Sequence, residues 1–212
     1  MKTLIAIPAL DSVPTVFFKC YSSMDKVGET GFSVTQSSLV YDARNTLART
    51  AIDQKFDRIF WLDSDMDFQP DLMKRLSADL DEGYEFVCGL FFKRKAPIQP
   101  VIYKEVGYYH KDNEVTPVAL CYEDYPKDQI FEVNGCGFGA VMMSVDLVKR
   151  VVAEFGAPFS PILGFGEDLS FCKRVTHIGG EMWCDSRIKV GHIGTGTITE
   201  EIYLQTRGDK NG

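Results

Sequence analysis

The chain has 212 residues, 45% of them hydrophobic, with a formal net charge of −7. That length suits one sizeable core and a single globular domain, and the acid excess works against a general attraction to nucleic acid or to an acidic membrane surface. No stretch reaches the unbroken apolar length of a membrane span, and residues 1–9 lack the regions of a signal peptide, so a cytoplasmic protein is expected.

In chain order, apolar β-rich runs at residues 3–7, 58–62, 85–92, 131–133, 140–143 and 181–185 alternate with segments of helical period, the pattern of an α/β sandwich. Between the first two runs, Leu39, Val40, Ala43, Leu47 and Ala51 recur at helical spacing behind the candidate caps Ser37 and Ser38, which predicts a helix over 38–54. Pro70 suits the first turn of a helix with the apolar face Leu72, Met73, Leu76 and Leu80, closed by Gly83. Residues 96–129 carry Pro97, Pro100, Pro117 and Pro126, many tyrosines and an Asp112-Asn113 turn signal, and are expected to form an irregular hairpin insertion. The spacing predicts a further helix over 146–155, ended by Gly156. Another begins near Glu167, with Leu169, Phe171, Cys172 and Val175 inward and Gly179 and Gly180 closing it. Residues 1–206 are thus expected as one domain and 207–212 as a flexible tail. The six cysteines lie in apolar contexts without a Cys-x-x-Cys pair, which points to reduced, mostly buried thiols.

Asp63, Asp65 and Asp67 stand at alternate positions directly after the apolar run Ile59-Phe60-Trp61-Leu62. Like charges this close are costly without a cation, and oxygen ligands at the carboxyl end of a strand suit a divalent ion, at the edge where open α/β sheets bind ligands. A solvated acidic turn is the competing reading. Glu167 and Asp168 open a helix after Gly164-Phe165-Gly166, where they favour the helix dipole or serve chemistry. His192 follows a strand in a glycine-flanked setting from which an imidazole reaches back toward the acids; His110 and His177 are read as structural. Arg44 and Arg94 are candidate cations for a nucleotide's phosphates, because a guanidinium grips phosphate oxygens bidentately, whereas Lys93 and Lys95 are read as surface charges.

Leu62-Asp63-Ser64-Asp65-Met66, with Arg44-Asn45 upstream, resembles the Asp-x-Asp region of GT-A fold glycosyltransferases, in particular the large inverting glycosyltransferase family 2 and its small bacterial and viral relatives. The likeness continues in order through residues 89–95, 134–139, 166–174 and 190–194, and so spans nearly the whole chain. It implies a single-domain α/β/α sandwich of the Rossmann-like GT-A type with a mixed central sheet. It implies metal-dependent transfer of a sugar from a nucleoside-diphosphate sugar, by default a UDP-sugar, to a hydroxyl acceptor.

By that resemblance Asp65 is the direct ligand of Mn²⁺ or Mg²⁺, His192 completes the coordination, and Asp63 orients the donor ribose or a metal-bound water. Asp168 is then the base that deprotonates the acceptor as it attacks with inversion, and Glu167 an acceptor contact. Pro8, Ala9 and Leu10 fall where relatives seat the nucleobase, and Ser64, Arg44 and Arg94 join them in the donor site. Gly135, Cys136 and Gly137 let the sugar or acceptor approach closely. Thr195, Thr197 and Thr199 are expected to close over the donor. The acceptor stays open among a saccharide, a lipid-linked glycan, a protein and a modified nucleic-acid base. Two other readings compete: a nucleotide-sugar or glycan-binding module without turnover, and a haloacid dehalogenase-type phosphatase, whose motif belongs beside the first strand rather than here.

Overall fold

The computed structural model describes residues 1–112, 114–194 and 196–208. The N-terminal half runs β1 (Lys2–Ala9), α1 (Thr15–Ser23), β2 (Glu29–Gln36), α2 (Val40–Asp53), β3 (Arg58–Leu62), β4 (Met66–Asp67), α3 (Leu72–Asp81) and β5 (Phe86–Leu90). A hairpin of β6 (Ile102–Lys111) and β7 (Glu114–Cys121) follows, then β8 (Ile130–Glu132), β9 (Gly135–Cys136), β10 (Ala140–Ser144) and α4 (Val145–Phe155). The chain closes with α5 (Glu167–His177), β11 (Trp183–Lys189), β12 (Gly191–Ile193), β13 (Thr197–Ile198) and α6 (Glu200–Gly208).

The central sheet has seven strands in the order β2-β1-β3-β10-β5-β11-β8. β1 runs parallel to both β2 and β3, and β5 parallel to β11, while β10 lies antiparallel between β3 and β5. Every residue of β3 and β5 is buried, which is why 59–62 and 86–90 read as unbroken apolar runs, and Arg58 at the start of β3 is paired with Ser77 and Asp81 of α3. Successive side chains alternate faces. Leu4, Ala6, Ile59, Trp61 and Val141 pack against Leu47 of α2, Val148 of α4 and Phe171 of α5. Ile5, Ile7, Phe60, Leu62 and Met142 pack on the other face against Phe17 of α1 and Leu72 and Leu76 of α3. The result is the expected α/β/α sandwich around a mixed sheet.

Local chemistry sets the helix ends with some departures from the sequence reading. Ser144 Oγ accepts from the Leu147 amide at 3.1 Å and caps α4. α2 begins at Val40 rather than Ser38, since Ser37 Oγ accepts from Leu39 N at 3.1 Å and holds the turn before the helix. Pro70 lies in the turn preceding α3, and Gly83, at φ +109°, ends that helix. The 96–129 segment is more regular than its prolines suggest. β6 and β7 pair along their length with one register shift between Tyr103 and Glu105. Pro97, Pro100 and Pro126 fall outside the paired strands, and Pro117 sits on β7, the edge strand, where a missing N–H costs no ladder bond. Asn113 of the expected turn and residues 209–212 of the expected tail lie outside the described residues. Arg207 belongs to α6 instead, its Nη1 donating to the Glu123 carbonyl at 2.8 Å. The six cysteines are free, four of them buried. Among the described residues no helix is long and apolar enough to cross a membrane.

α3 and β11 bury a pair of carboxylates, Asp79 and Asp185, that share one arginine. Arg187 donates from Nε to Asp185 Oδ1 at 2.8 Å and from Nη2 to Asp79 Oδ1 at 3.4 Å, while Asp79 Oδ2 has no partner among the described residues. Burial, and then the Asp185 charge, push the Asp79 carboxyl up to about 6. An unfolded aspartate titrates near ~3.9, so the folded state keeps a proton that the unfolded chain releases. This group's cost is absent below the unfolded value, grows as pH rises from there to about 6, and is constant above. Asp79→Asn is expected to raise the urea midpoint above that pH and leave it unchanged in acid. A midpoint that falls equally at both pH values contradicts this account of Asp79.

Candidate active site

The carboxyl ends of β1, β3 and β5 open on one edge of the sheet, beside the N-terminus of α5. Two cavities meet there. The first, about 360 Å³, is lined by Pro8, Ala9, Leu10, Ser37, Ser38, Val40, Ala43, Ser64 and Asp65. The second, about 500 Å³, is lined by Phe91, Lys93, Lys95, Pro97, Gly137, Phe138, Asp168 and His192. Arg44, Asp63, Arg94 and Glu167 line both, so the cavities form one cleft of a size that accommodates a ligand of several rings.

Arg44 occupies the junction. Its side chain is 2% exposed; Nη2 donates to Asp63 Oδ1 at 2.8 Å and Nε to Glu167 Oε1 at 3.2 Å. The guanidinium also lies over the Phe138 and Trp61 rings, 5.1 and 5.7 Å from their centroids. Burial would lower its pKa, but Asp63, Glu167 and Asp168 outweigh that and keep it charged. Arg44, expected to grip phosphate, binds the carboxylates of Asp63, just after β3, and Glu167, at the start of α5, while its buried Nη1 has no partner among the described residues. Neighbouring Asn45, whose Oδ1 accepts from Phe159 N at 2.9 Å, ties α2 to the loop leading into α5. At Asp63, burial raises the carboxyl above its ordinary range, Arg44 opposes and Asp65 adds to the rise.

Asp65 and His192 are brought together by strands too short to announce themselves. His192 of β12 pairs with Met66 of β4, and Ile193 N donates to Asp65 O at 2.8 Å. His192 Nδ1 lies 2.8 Å from the Phe92 carbonyl, which can only accept, so Nδ1 carries the hydrogen. A neutral imidazole then turns the Nε2 lone pair toward Asp65 Oδ2, 3.4 Å away. Two electron-rich atoms facing each other call for a proton or a cation between them. Burial lowers the His192 pKa, but Asp65 and the Phe92 carbonyl outweigh it and the imidazole gains basicity. At Asp65 burial works upward, and His192, when protonated and donating from Nε2, together with Arg94 overcomes it and holds the carboxyl below its usual value. One nitrogen and one oxygen donor, the nitrogen oriented from behind by a carbonyl, fit Mn²⁺ or Mg²⁺. Among the described residues no group of three or more His, Cys, Asp or Glu side chains is assembled for a metal. Arg94, whose side chain is 47% exposed, donates from Nη1 to Asp65. Asp67 turns away from the pair, its Oδ1 accepting from Cys20 Sγ at 3.4 Å.

Glu167 and Asp168 form the first turn of α5, as the sequence led one to expect. Asp168 Oδ1 accepts from Leu169 N at 2.7 Å, which leaves Oδ2 for the cleft. Burial, then the Glu167 charge beside it, push the Asp168 carboxyl up to about 6, against the pull of Leu169 N–H and Arg44. Of the three residues expected to line the sugar or acceptor site, Gly137 alone does so. A Cβ at Gly137 would come within 2.7 Å of Val101 Cγ1 and 2.9 Å of the Phe91 ring, so glycine is needed for the backbone to pass. Gly135 and Cys136 are buried in β9 against β6 and do not reach the cleft, because the strand pairing turns them into the core. Thr197 and Thr199 line a separate cavity with Asp67 and Lys189, and Thr195 lies outside the described residues.

Removing Arg44 leaves two carboxylates facing each other without their cation. Arg44→Met is expected to cost about 3–5 kcal/mol in urea unfolding. Asp63→Asn combined with Glu167→Gln in that background should recover most of the loss. A loss well under ~1 kcal/mol would remove Arg44 from this role.

No protein-family model and no curated protein sequence matches the chain. Among solved structures it is similar to A197 from STIV, with 20% sequence identity, a TM-score of 0.63, and coverage of 92% of this chain and 86% of that one. It is also similar to GalNAc-T7 with UDP, GalNAc and Mn²⁺, at 11% identity and a TM-score of 0.56, covering 92% of this chain but 44% of that one. The chain thus spans less than half the length of GalNAc-T7. At these identities the likeness is one of fold, and with the mixed seven-stranded sheet it shows that this chain has a GT-A-like α/β fold.

Proposed function

We propose that the chain is a metal-dependent glycosyltransferase that moves a sugar from a nucleoside-diphosphate sugar, with UDP as the nucleotide, to a hydroxyl acceptor with inversion. One cleft holds a cation-binding pair, Asp65 and His192, together with a carboxyl, Asp168, poised near neutrality, and that juxtaposition carries the reading. GalNAc-T7, whose structure holds UDP, GalNAc and Mn²⁺, shares the fold and supports this choice of donor and metal.

In this mechanism Pro8, Ala9 and Leu10 present the end of β1 to the nucleobase, with the Ser37 and Ser38 hydroxyls beside them. Arg94, exposed and held only by Asp65 among the described residues, exchanges that carboxylate for the donor's diphosphate. Asp65 and His192 Nε2 would hold the divalent ion, which supplies neutralisation of charge on the departing diphosphate. Asp63, fixed by Arg44, orients the donor ribose. Asp168 Oδ2 takes the proton from the acceptor hydroxyl as its oxygen bonds to the anomeric carbon and the bond to the diphosphate breaks. Glu167, anchored by the same arginine, holds the acceptor at the α5 N-terminus.

Calorimetry with UDP is expected to show binding that needs Mn²⁺ and is lost in Asp65→Ala. UDP binding equal with and without metal, or silence in both, sinks the donor reading. Asp168→Asn should retain that binding and lower kcat by about 10²–10⁴-fold. The base must be a carboxylate, so transfer should rise with pH through about 6 and level off above it. Product of retained configuration, or an Asp168→Asn enzyme of full activity, would take Asp168 out of the base role. A donor that binds with Mn²⁺ but is never transferred or hydrolysed would identify a binding module instead.

A further inference from the structure

α6 lies outside the cleft, yet its contacts lead into it. Tyr203 is 1% exposed, and its ring stacks on that of Phe92 with centroids 4.5 Å apart and planes inclined by 26°. The Phe92 ring also meets Tyr125, at 6.4 Å. Glu200, the first residue of α6, is 7% exposed and accepts from Tyr125 OH at 2.7 Å and Lys127 Nζ at 2.8 Å, with Lys189 Nζ paired to its second oxygen. Further along the helix, Tyr203 OH and Arg207 Nη1 both donate to the Glu123 carbonyl. Three donors on one buried carboxylate tie the start of α6 to Tyr125, Lys127 and Lys189.

Phe92 is thereby gripped through its ring, and its main chain faces the cation pair. Its carbonyl receives the His192 Nδ1 hydrogen at 2.8 Å, and Arg94, two residues on, reaches Asp65. A neutral imidazole bears one hydrogen, and the nitrogen that carries it is decided by the better acceptor on offer. With the carbonyl in place, Nδ1 is the donor and Nε2 keeps its lone pair. Without it, the Asp65 carboxylate at 3.4 Å becomes the better acceptor and Nε2 takes the hydrogen, which blocks it as a ligand.

We propose that Tyr203 and Glu200 are positioning residues: they hold Phe92 so that its carbonyl fixes His192 in the Nδ1–H tautomer and leaves Nε2 free for a divalent cation. The inference deepens the proposed function and rests on its reading of Asp65 and His192 as a cation pair. α6 is then a latch whose docking sets the affinity of the site for metal, and so for a metal-dependent donor.

The test is ¹⁵N-histidine NMR of the metal-free full chain at a pH where the imidazole is neutral, with the His192 signals identified by their loss in His192→Gln. The native chain and Tyr203→Phe, which keeps the stacked ring, should show Nδ1–H. Tyr203→Leu should move His192 toward Nε2–H and weaken Mn²⁺ binding at least about tenfold. Glu200→Gln, which leaves the ring stack untouched but weakens the hold on α6, should shift both readouts the same way and decides the matter if Tyr203→Leu does not fold. An Nε2–H tautomer in the native chain overturns the proposal, as does Nδ1–H retained in a folded variant whose α6 amides have lost their exchange protection. A tautomer that shifts as expected in a protein that binds neither Mn²⁺ nor UDP would uphold the positioning and overturn the glycosyltransferase reading alone.

Discussion

The guanidinium of Arg44 is the constraint on which the cleft depends. Asp63 directly follows β3 and Glu167 begins α5, and both carboxylates turn toward the same buried cation, which packs over the Trp61 and Phe138 rings. Bringing these acids together in a low-dielectric floor would be strongly unfavourable without a charge between them. Arg44 makes the approach possible, and in doing so it ties the carboxyl end of β3 to the first turn of the helix that carries Asp168. With Asp63, Arg94 and Glu167 it lines both cavities of the cleft.

Two arginines with similar prospects in the sequence end in opposite situations. Arg44 is enclosed, with Nη2 and Nε on protein carboxylates and Nη1 without a partner among the described residues, whereas Arg94 is half exposed and shares Asp65 with His192. An arginine in the first setting sets electrostatics and position; one in the second can change partner when an anion arrives. The same contrast separates the acids. Asp65 is held below its usual pKa, against burial, by His192 in its protonated form and by Arg94, while Asp168, where burial and Glu167 dominate, is lifted to about 6. In the proposed reaction this gives a permanently ionised ligand and a proton acceptor near neutrality from one side-chain chemistry, by environment alone.

Much of this was legible in the sequence wherever a strong periodic run meets its functional residue directly. The buried strand before Asp63 and the glycine-flanked start of α5 belong to this kind, and the sandwich followed from the alternation of such elements. What escaped notice depends on contacts between distant residues. Nothing local to Arg44 tells that Glu167, far along the chain, will claim it. β4 and β12 are too short to leave a pattern, yet they place His192 on Asp65. Gly135 and Cys136 looked like Gly137, and strand pairing alone turned them inward. α6 carries mixed residues with a weak apolar stripe, and its role comes from Glu200 and Tyr203 finding partners on other elements.

The central claim is that Arg44 stays an internal clasp while Asp65 and His192 hold the cation that a donor requires. A crystal structure of the chain with UDP and Mn²⁺, with anomalous scattering recorded at the manganese edge, tests it most directly. The account predicts one manganese peak bound by an Asp65 oxygen and His192 Nε2, UDP along Pro8–Leu10, and Arg44 still bonded to Asp63 and Glu167. A peak elsewhere, or Arg44 released from both acids and laid on the diphosphate, would contradict it.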